Sequence, residues 1–322
     1  MRAWMKSILG ATLALAAATA LAQGYPSRPV KIVVPYPPGG GTDLVARRVA
    51  DHMRVALGQP VVVENIPGAG GNIGAGQVAR APGDGYTLLA TAAALAIAPA
   101  IGISLPFDPA KDLVPVAQLA TVPLLVLVRA DSPLNSIADL LAHARKQPGK
   151  LTFASFGVGT PPHLVGESIK LLGHVDMTHV PYKGSAAAMP DVLSGQVDVA
   201  ILDVVTTTPY VLDGRLKALA ITGARRSPAL PNVPTLSQSG IPFDTVGWYG
   251  MFGPATMPPA IVDQVNVAVT KALADPGITA FIVKSGSLAV EPPLSALQWG
   301  EQFRDDMRAW RDVVVKSGAK FN

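Results

Sequence analysis

Short β-branched apolar runs alternate along this chain with longer stretches whose apolar residues recur every three or four positions. Residues 30–34 (Val-Lys-Ile-Val-Val) read as a strand, and 42–57 as a helix with Val45, Val49 and Met53 on one face. A strand at 61–63, a glycine-rich turn, a helix near 72–80 and a strand at 86–90 follow. A βαβαβ order of this kind predicts a parallel sheet with helices on both faces.

A second, similar series begins after a strand at 114–120. Residues 124–128 are apolar enough for a fully buried strand, and Ser136 is placed to cap a helix running to 146. Strands at 151–154, 177–180, 197–202 and 216–221 alternate with helices near 162–172, 186–194 and 206–212. Residues 225–245 are rich in Pro, Ser and Asn and read as a linker; one more strand, 246–252, precedes three helices. The helical tail is expected to pack back onto the first unit. That arrangement divides the chain into a first domain (23–122 plus 225–322) and a second (123–224), crossed near 122 and 225–247, which makes a hinge rather than a tether.

The N-terminus changes the picture. Arg2 and Lys6 precede an uninterrupted small and apolar run at 8–21, and Ala20-Leu-Ala22 presents small residues at the positions a signal peptidase reads. The run is shorter than the ~20 residues a spanning helix needs, so cleavage after Ala22 and export to the periplasm are expected. The whole chain carries 26 Lys+Arg against 22 Asp+Glu, and removal of the first segment leaves a formal charge of +2. Without basic runs, that surface offers no footprint for nucleic acid. No cysteine is present, which excludes thiol catalysis, disulfides and thiolate metal sites.

Four glycine-rich loops follow strands. Pro35-Tyr-Pro-Pro-Gly-Gly-Gly-Thr-Asp43 frees the N–H groups of a helix start, which favour an anion; a plain turn capped by Thr42 or Asp43 is the simpler alternative. Gly68-Ala-Gly-Gly-Asn-Ile-Gly-Ala-Gly76 matches part of a dinucleotide pattern, but no acid closes a following strand, so Asn72 is read as a further lining of the anion site. Ser155-Phe-Gly-Val-Gly-Thr-Pro-Pro-His163 adds hydroxyls and N–H groups; Ser155 is not in a nucleophile elbow, and His163 reads as a surface or capping residue. In Val180-Pro-Tyr-Lys-Gly-Ser185, Lys183 either meets a carboxylate or is solvated. Asp203 ends an apolar strand, as a cap for the helix from Thr206 or as a pocket acid facing a donor on the ligand. The five histidines show no metal spacing, and no catalytic set stands out.

Taken together, Tyr25-Pro-Ser-Arg-Pro-Val-Lys31, Val34-Pro-Tyr-Pro-Pro-Gly-Gly-Gly-Thr-Asp43, Val63-Glu-Asn-Ile-Pro-Gly-Ala-Gly-Gly-Asn-Ile-Gly74, Ala81-Pro-Gly-Asp-Gly-Tyr-Thr87, Val180-Pro-Tyr-Lys-Gly-Ser185, Gly195-Gln-Val-Asp198 and Trp248-Tyr-Gly-Met-Phe-Gly-Pro254 resemble the tripartite tricarboxylate transporter receptors, the Bug-type periplasmic solute-binding proteins. The resemblance spans the mature chain. It implies an α/β, type II-like periplasmic-binding-protein fold of two mainly parallel, helix-flanked sheets hinged by crossing strands. It also implies a monomer that needs no cofactor and closes on a small carboxylate for a membrane transporter or a sensor protein. The ligand loops of such receptors map onto Tyr36, Pro38, Gly39, Gly40 and Thr42, and onto Ser155, Gly157, Gly159 and Thr160. Asn72, Lys183, Gly184 and Asp203 complete the expected site, with Gly40 and Gly159 on opposite lips. Ala186-Ala187-Ala188 departs from the family pattern and reshapes one wall. A periplasmic enzyme acting on a carboxylate and an exported, ligand-free adaptor are the alternatives.

Overall fold

A computed structural model describes residues 24–318; the export segment expected over 1–22 lies outside them. Two five-stranded sheets form. The first holds β1 (Val30–Val34), β2 (Val61–Asn65), β3 (Thr87–Ala92), β4 (Leu113–Val122) and β10 (Gly247–Pro254). The second holds β5 (Leu124–Arg129), β6 (Thr152–Ser155), β7 (Thr178–Pro181), β8 (Val199–Asp203) and β9 (Leu216–Ile221). Their orders, β2-β1-β3-β10-β4 and β7-β6-β8-β5-β9, repeat one scheme. Three adjacent strands are parallel, and a fourth, β10 or β5, is antiparallel to both its neighbours. Both sheets are thus mainly parallel, as expected, with one antiparallel strand each. β5 and β10 are the first strands after a crossing, so each starts where the parallel strands end: Leu124 pairs with Asp203, and Tyr249 with Ala92.

Ten helices flank the sheets in the described residues: α1 (Gly41–Leu57), α2 (Asn72–Ala79), a short α3 (Ala94–Ile97), α4 (Ile137–Lys146), α5 (Pro161–Gly173), α6 (Ser185–Ser194), α7 (Val204–Leu212), α8 (Pro259–Leu273), α9 (Pro276–Lys284) and α10 (Ala296–Ser317). None is long and apolar enough to cross a membrane. The stripe Val45, Val49 and Met53 is buried on α1, and the Ser136 hydroxyl accepts the Asp139 N–H to cap α4. α8 packs on α1 and β4 of the first lobe, as expected of the tail, whereas α10 lies on β4 and also reaches α5 of the second lobe.

The segment 225–245, read from its composition as a linker, is packed against the core. Leu230, Val233, Leu236, Ile241 and Phe243 are buried, Ile221 N–H donates to the Pro234 carbonyl, and the Ser227 hydroxyl donates to Gly286 O (2.9 Å). Pro and Ser here shape a packed strap, because apolar residues interspersed among them still find the core. The other crossing passes through Pro123 alone, between β4 and β5.

Helix α10 is fixed by aromatic rings. Trp299 meets Trp248 of β10 edge to face (centroids 5.0 Å, 83°), and Phe303 meets Phe252 at 5.0 Å; such pairs contribute about 0.5–1.5 kcal/mol each beyond their burial. Asp306 on this helix sits against the cluster. Burial, then the charge of Asp305, pushes its carboxyl up to about 7. The unfolded chain ionises it near the ordinary carboxylate value, so its contribution to stability is lost as pH rises from about 4 to about 7. Asp306→Asn should match the wild type below pH ~4, then gain on it up to pH ~7 and hold that margin above. The margin is read as melting temperature, at roughly 2–4 °C per kcal/mol. A pH-independent difference would disprove the buried neutral carboxyl.

Candidate functional site

The parallel strands deliver their carboxyl ends, and the loops that follow them, to the space between the lobes. In the first lobe β1 turns through residues 35–40 into α1, with Gly39 at φ +81°. The turn is braced from behind. Asp43 accepts the Gly39 N–H (3.0 Å), the Asn65 amide (2.9 Å) and the Arg47 guanidinium (3.0 Å), and Asn65 also donates to Tyr36 O (3.0 Å). Burial alone would raise the Asp43 carboxyl; Arg47, the Gly39 N–H and Asn65 outweigh it and hold the group below the usual range. Asp43 thus fixes the turn, while the N-cap is Gly40, which supplies no side-chain bond. The N–H groups that open α1 are left for the cleft.

The second lobe answers with another uncapped helix start. β7 leads through Tyr182 and Lys183 to Gly184, the N-cap of α6, at φ +118° and again without a side-chain bond. A β-carbon on Gly184 would lie 3.9 Å from Pro37 of the opposite lobe, so the two lips meet here. Between them lies a cavity of about 50 Å³, walled by Tyr36, Pro37, Gly40, Gly41, Thr42, Ala92 and Tyr249 from the first lobe. Phe156, Lys183, Gly184, Ser185, Ala186 and Asp203 wall it from the second. Among the described residues no group of His, Asp and Glu is gathered to hold a metal ion.

Asp203 touches both the helix that follows it and the cavity. It caps α7 through the Thr206 N–H (3.0 Å) and Thr206 hydroxyl (2.9 Å), and it lines the cavity, with the Ser185 hydroxyl donating at 2.5 Å. Across the cleft stands Tyr249, buried on β10 and not among the site residues expected from the sequence. Burial, then the charge of Asp203 and the hydrogen bond to it, pushes the Tyr249 phenol up, with Thr42 opposing weakly. It therefore stays a protonated phenol beside Asp203. Both groups crowd the first residue of α1: a β-carbon on Gly41 would lie 2.6 Å from Asp203 Oδ1 and closer still to the Tyr249 hydroxyl.

The loop after β6 sits differently from expectation. The Ser155 hydroxyl is buried against His179 Nε2 (2.7 Å) and accepts the Gly157 N–H (3.0 Å). The Thr160 hydroxyl donates to Gly157 O (2.6 Å), and the Gly159 N–H to His163 Nδ1 (3.1 Å). His163 is thus a buried capping residue, not a surface one. It stacks on His179 (centroids 4.0 Å); burial, then His179 and Lys170, holds His163 down to about 3, and burial, then Lys170, holds His179 down to about 4. Only Phe156 of this loop reaches the cavity. The lip opposite Gly40 is therefore Gly184, not Gly159, which abuts Ile101. Pro38, Gly39, Ser155 and Gly157 stay outside the cavity, and Asn72, Gly159 and Thr160 line a separate crevice.

Two hinged α/β lobes enclosing a cavity lined by helix starts define a solute-binding receptor. A family model described as tripartite tricarboxylate transporter family receptor matches residues 45–318, and the chain belongs to that family. Protein BugT of Bordetella pertussis (strain Tohama I) is 35% identical over 320 residues, 98% of this chain and 97% of that protein. The solved structure of the periplasmic binding protein BugD aligns with a TM-score of 0.87 at 35% identity, covering 92% of this chain and 99% of that one. MatC from Rhodopseudomonas palustris with bound malate gives 0.85 at 33%, covering 90% and 100%. The chain is a periplasmic solute-binding receptor of the Bug type, not an enzyme.

The crowding at Gly41 makes a prediction in which two effects compete. Gly→Ala in an exposed helix gains up to ~1 kcal/mol; here the added methyl must displace Tyr249 or Asp203, and overpacking costs ~1–3 kcal/mol. Gly41→Ala should lower the denaturant midpoint with an unchanged slope. A variant as stable as the wild type would mean that Tyr249 and Asp203 do not hold these positions over Gly41 in solution.

Proposed function

We propose that this receptor captures a small carboxylate between its lobes and closes on it, for uptake through a tripartite tricarboxylate-type transporter or for presentation to a sensor protein. It does so as a monomer in the periplasm, after export on residues 1–22, with its lobes dividing at 122/123 and 224/225. The observation that carries this reading is the pair of uncapped helix starts, α1 at Gly40 and α6 at Gly184, on one cavity from opposite lobes. Each offers unpaired N–H groups and the positive end of a helix dipole, and the two together suit one anion. Malate in the MatC neighbour is an anion of this kind.

Closure follows from the same division. Each lobe holds half of the hydrogen-bond partners, so the ligand binds the closed form more tightly and shifts the population towards it. Lys183, at the rim, adds a cation. Asp203 cannot hold an anion directly, since like charges repel; the part of the ligand beside it carries a hydroxyl or amino donor, or water lies between. Asp203 is in this reading a selector and not a clamp.

The test uses Gly40, whose φ of −76° suits any residue and whose β-carbon would meet only open space and the Pro37 carbonyl at 3.7 Å. Gly40→Asp places a carboxylate at the N-cap, where it stabilises α1 and occupies the anion's place. A panel of mono- and dicarboxylates with and without 2-hydroxyl or 2-amino groups should contain wild-type stabilisers worth about 2.7 kcal/mol at one hundred times Kd. In Gly40→Asp those ligands should bind at least tens-fold more weakly, a loss on the order of 2 kcal/mol, while the ligand-free melting temperature holds or rises. If neutral sugars stabilise the protein and no carboxylate does, the proposal is wrong.

A further inference from the structure

Tyr249 reaches the cavity from a strand, outside the glycine-rich loops, and its neighbour there is Asp203 of the opposite lobe. The Tyr249 hydroxyl and Asp203 Oδ1 are both within contact of one point over Gly41. The hydroxyl of the other phenol in the wall, Tyr36, meets the Thr91 hydroxyl instead (3.3 Å).

Asp203 has little acceptor capacity to spare. An ionised carboxylate offers about four lone-pair sites, and groups of its own lobe fill three of them. Oδ2 accepts the Ser185 and Thr206 hydroxyls (2.5 and 2.9 Å), and Oδ1 accepts the Thr206 N–H (3.0 Å). Oδ2 is therefore full. One position remains on Oδ1, the oxygen that stands over Gly41 beside the Tyr249 hydroxyl. Asp203 is 5% exposed and Tyr249 4%, so bulk water does not supply the fourth donor. Burial and the charge of Asp203 keep the phenol protonated, so it has a proton to share.

We propose that Tyr249 is a specificity-determining residue of the cavity: its hydroxyl donates to the one acceptor position left on Asp203 and takes the place of a donor on the ligand. The proposal rests on the reading of the cavity as a carboxylate site. In a space of about 50 Å³ the carbon next to the bound carboxylate lies close to Asp203, so a donor on that carbon is the one that competes. With Tyr249 in place, a 2-hydroxyl on the ligand finds Asp203 already satisfied and gains nothing for the water it gives up. An unsubstituted acid leaves no buried acceptor short of a partner. Tyr249 thus decides what Asp203 selects, and in this receptor it selects small carboxylates that lack a 2-hydroxyl.

Calorimetric titration of the full mature protein tests this with two pairs of acids that differ only in a 2-hydroxyl, malate with succinate and lactate with propionate. In the wild type the hydroxyl should improve binding by less than about threefold. Tyr249→Phe keeps the ring and removes the donor. The hydroxy acid of each pair should then gain on its partner by about tenfold or more, since a buried charged acceptor is left waiting for a donor. The gain should vanish in an Asp203→Asn background, because the two residues act as one unit. A wild type that already prefers the hydroxy acids tenfold would overturn the proposal. So would a ratio unchanged by Tyr249→Phe, a loss shared by both members of a pair, or a gain that survives in Asp203→Asn. Asp203→Asn alone decides the matter should Tyr249→Phe not fold. With Tyr249 in place it should leave each ratio as it is, whereas a selective loss of the hydroxy acid would put the ligand's hydroxyl on Asp203 and overturn the proposal. All these outcomes leave the carboxylate site standing, because the acids still bind. If none of the four binds, the carboxylate reading fails and the role of Tyr249 falls with it.

Discussion

The close approach of Asp203 and Tyr249 over the first residue of helix α1 is the contact on which the cleft depends. Only a glycine at position 41 admits both groups at that distance. Each group is held from its own lobe. Asp203 is fixed by Ser185 and by the start of α7, and Tyr249 by the antiparallel strand that enters the first sheet beside Ala92. In a low dielectric the attraction between a carboxylate and a neighbouring phenol that remains protonated is strong. It joins the lobes at the point where the helix dipole of α1 is also most positive.

The polar groups of the cleft divide into those that face the cavity and those that brace the loops from behind. Asp43, Arg47 and Asn65 hold the first turn rigid, and His163, His179 and Ser155 do the same for the loop after β6. Both sets are charged or strongly hydrogen-bonding, yet neither needs the ligand. In the carboxylate reading proposed above, the ligand is held mostly by backbone N–H groups at helix starts, which suit an anion without demanding a particular one, and selectivity falls to the few side chains at the walls: Asp203, Tyr249, Lys183, Phe156 and the small Ala186.

Bracing by histidines has a consequence of its own. His163 and His179 lie stacked and buried, and both are held well below the ordinary imidazole value. The unfolded chain protonates them first, so their contribution to stability is complete above about pH 6.5 and is lost as pH falls towards 4 and 3. Asp306 slopes the opposite way between about pH 4 and 7, and the two partly cancel in the middle of that range.

Much of this architecture is legible in the sequence. Alternating β-branched runs and 3.6-residue stripes mark the strands and helices. Ser136 marks a cap, the prolines at 258 and 259 open α8, and the glycine-rich loops lie at the cleft because parallel strands carry their carboxyl ends to one edge. Each of these rests on local geometry and burial alone. The tertiary structure decided which loops face one another. The loops after β6 and β7 both carry glycine and polar residues, but the first spends its hydroxyls on His179 and its own backbone and the Gly159 N–H on His163, while the second supplies Gly184 to the cavity that Gly40 lines. Tyr249 joins the site from a strand whose place between β3 and β4 follows from the second crossing, so the motif that contains it, Trp248 to Pro254, does not by itself place it in the cavity. Apolar residues in the 225–245 strap read as a linker until their partners are known. Composition specifies what a segment can do; the direction of a side chain depends on neighbours that arrive from elsewhere in the chain.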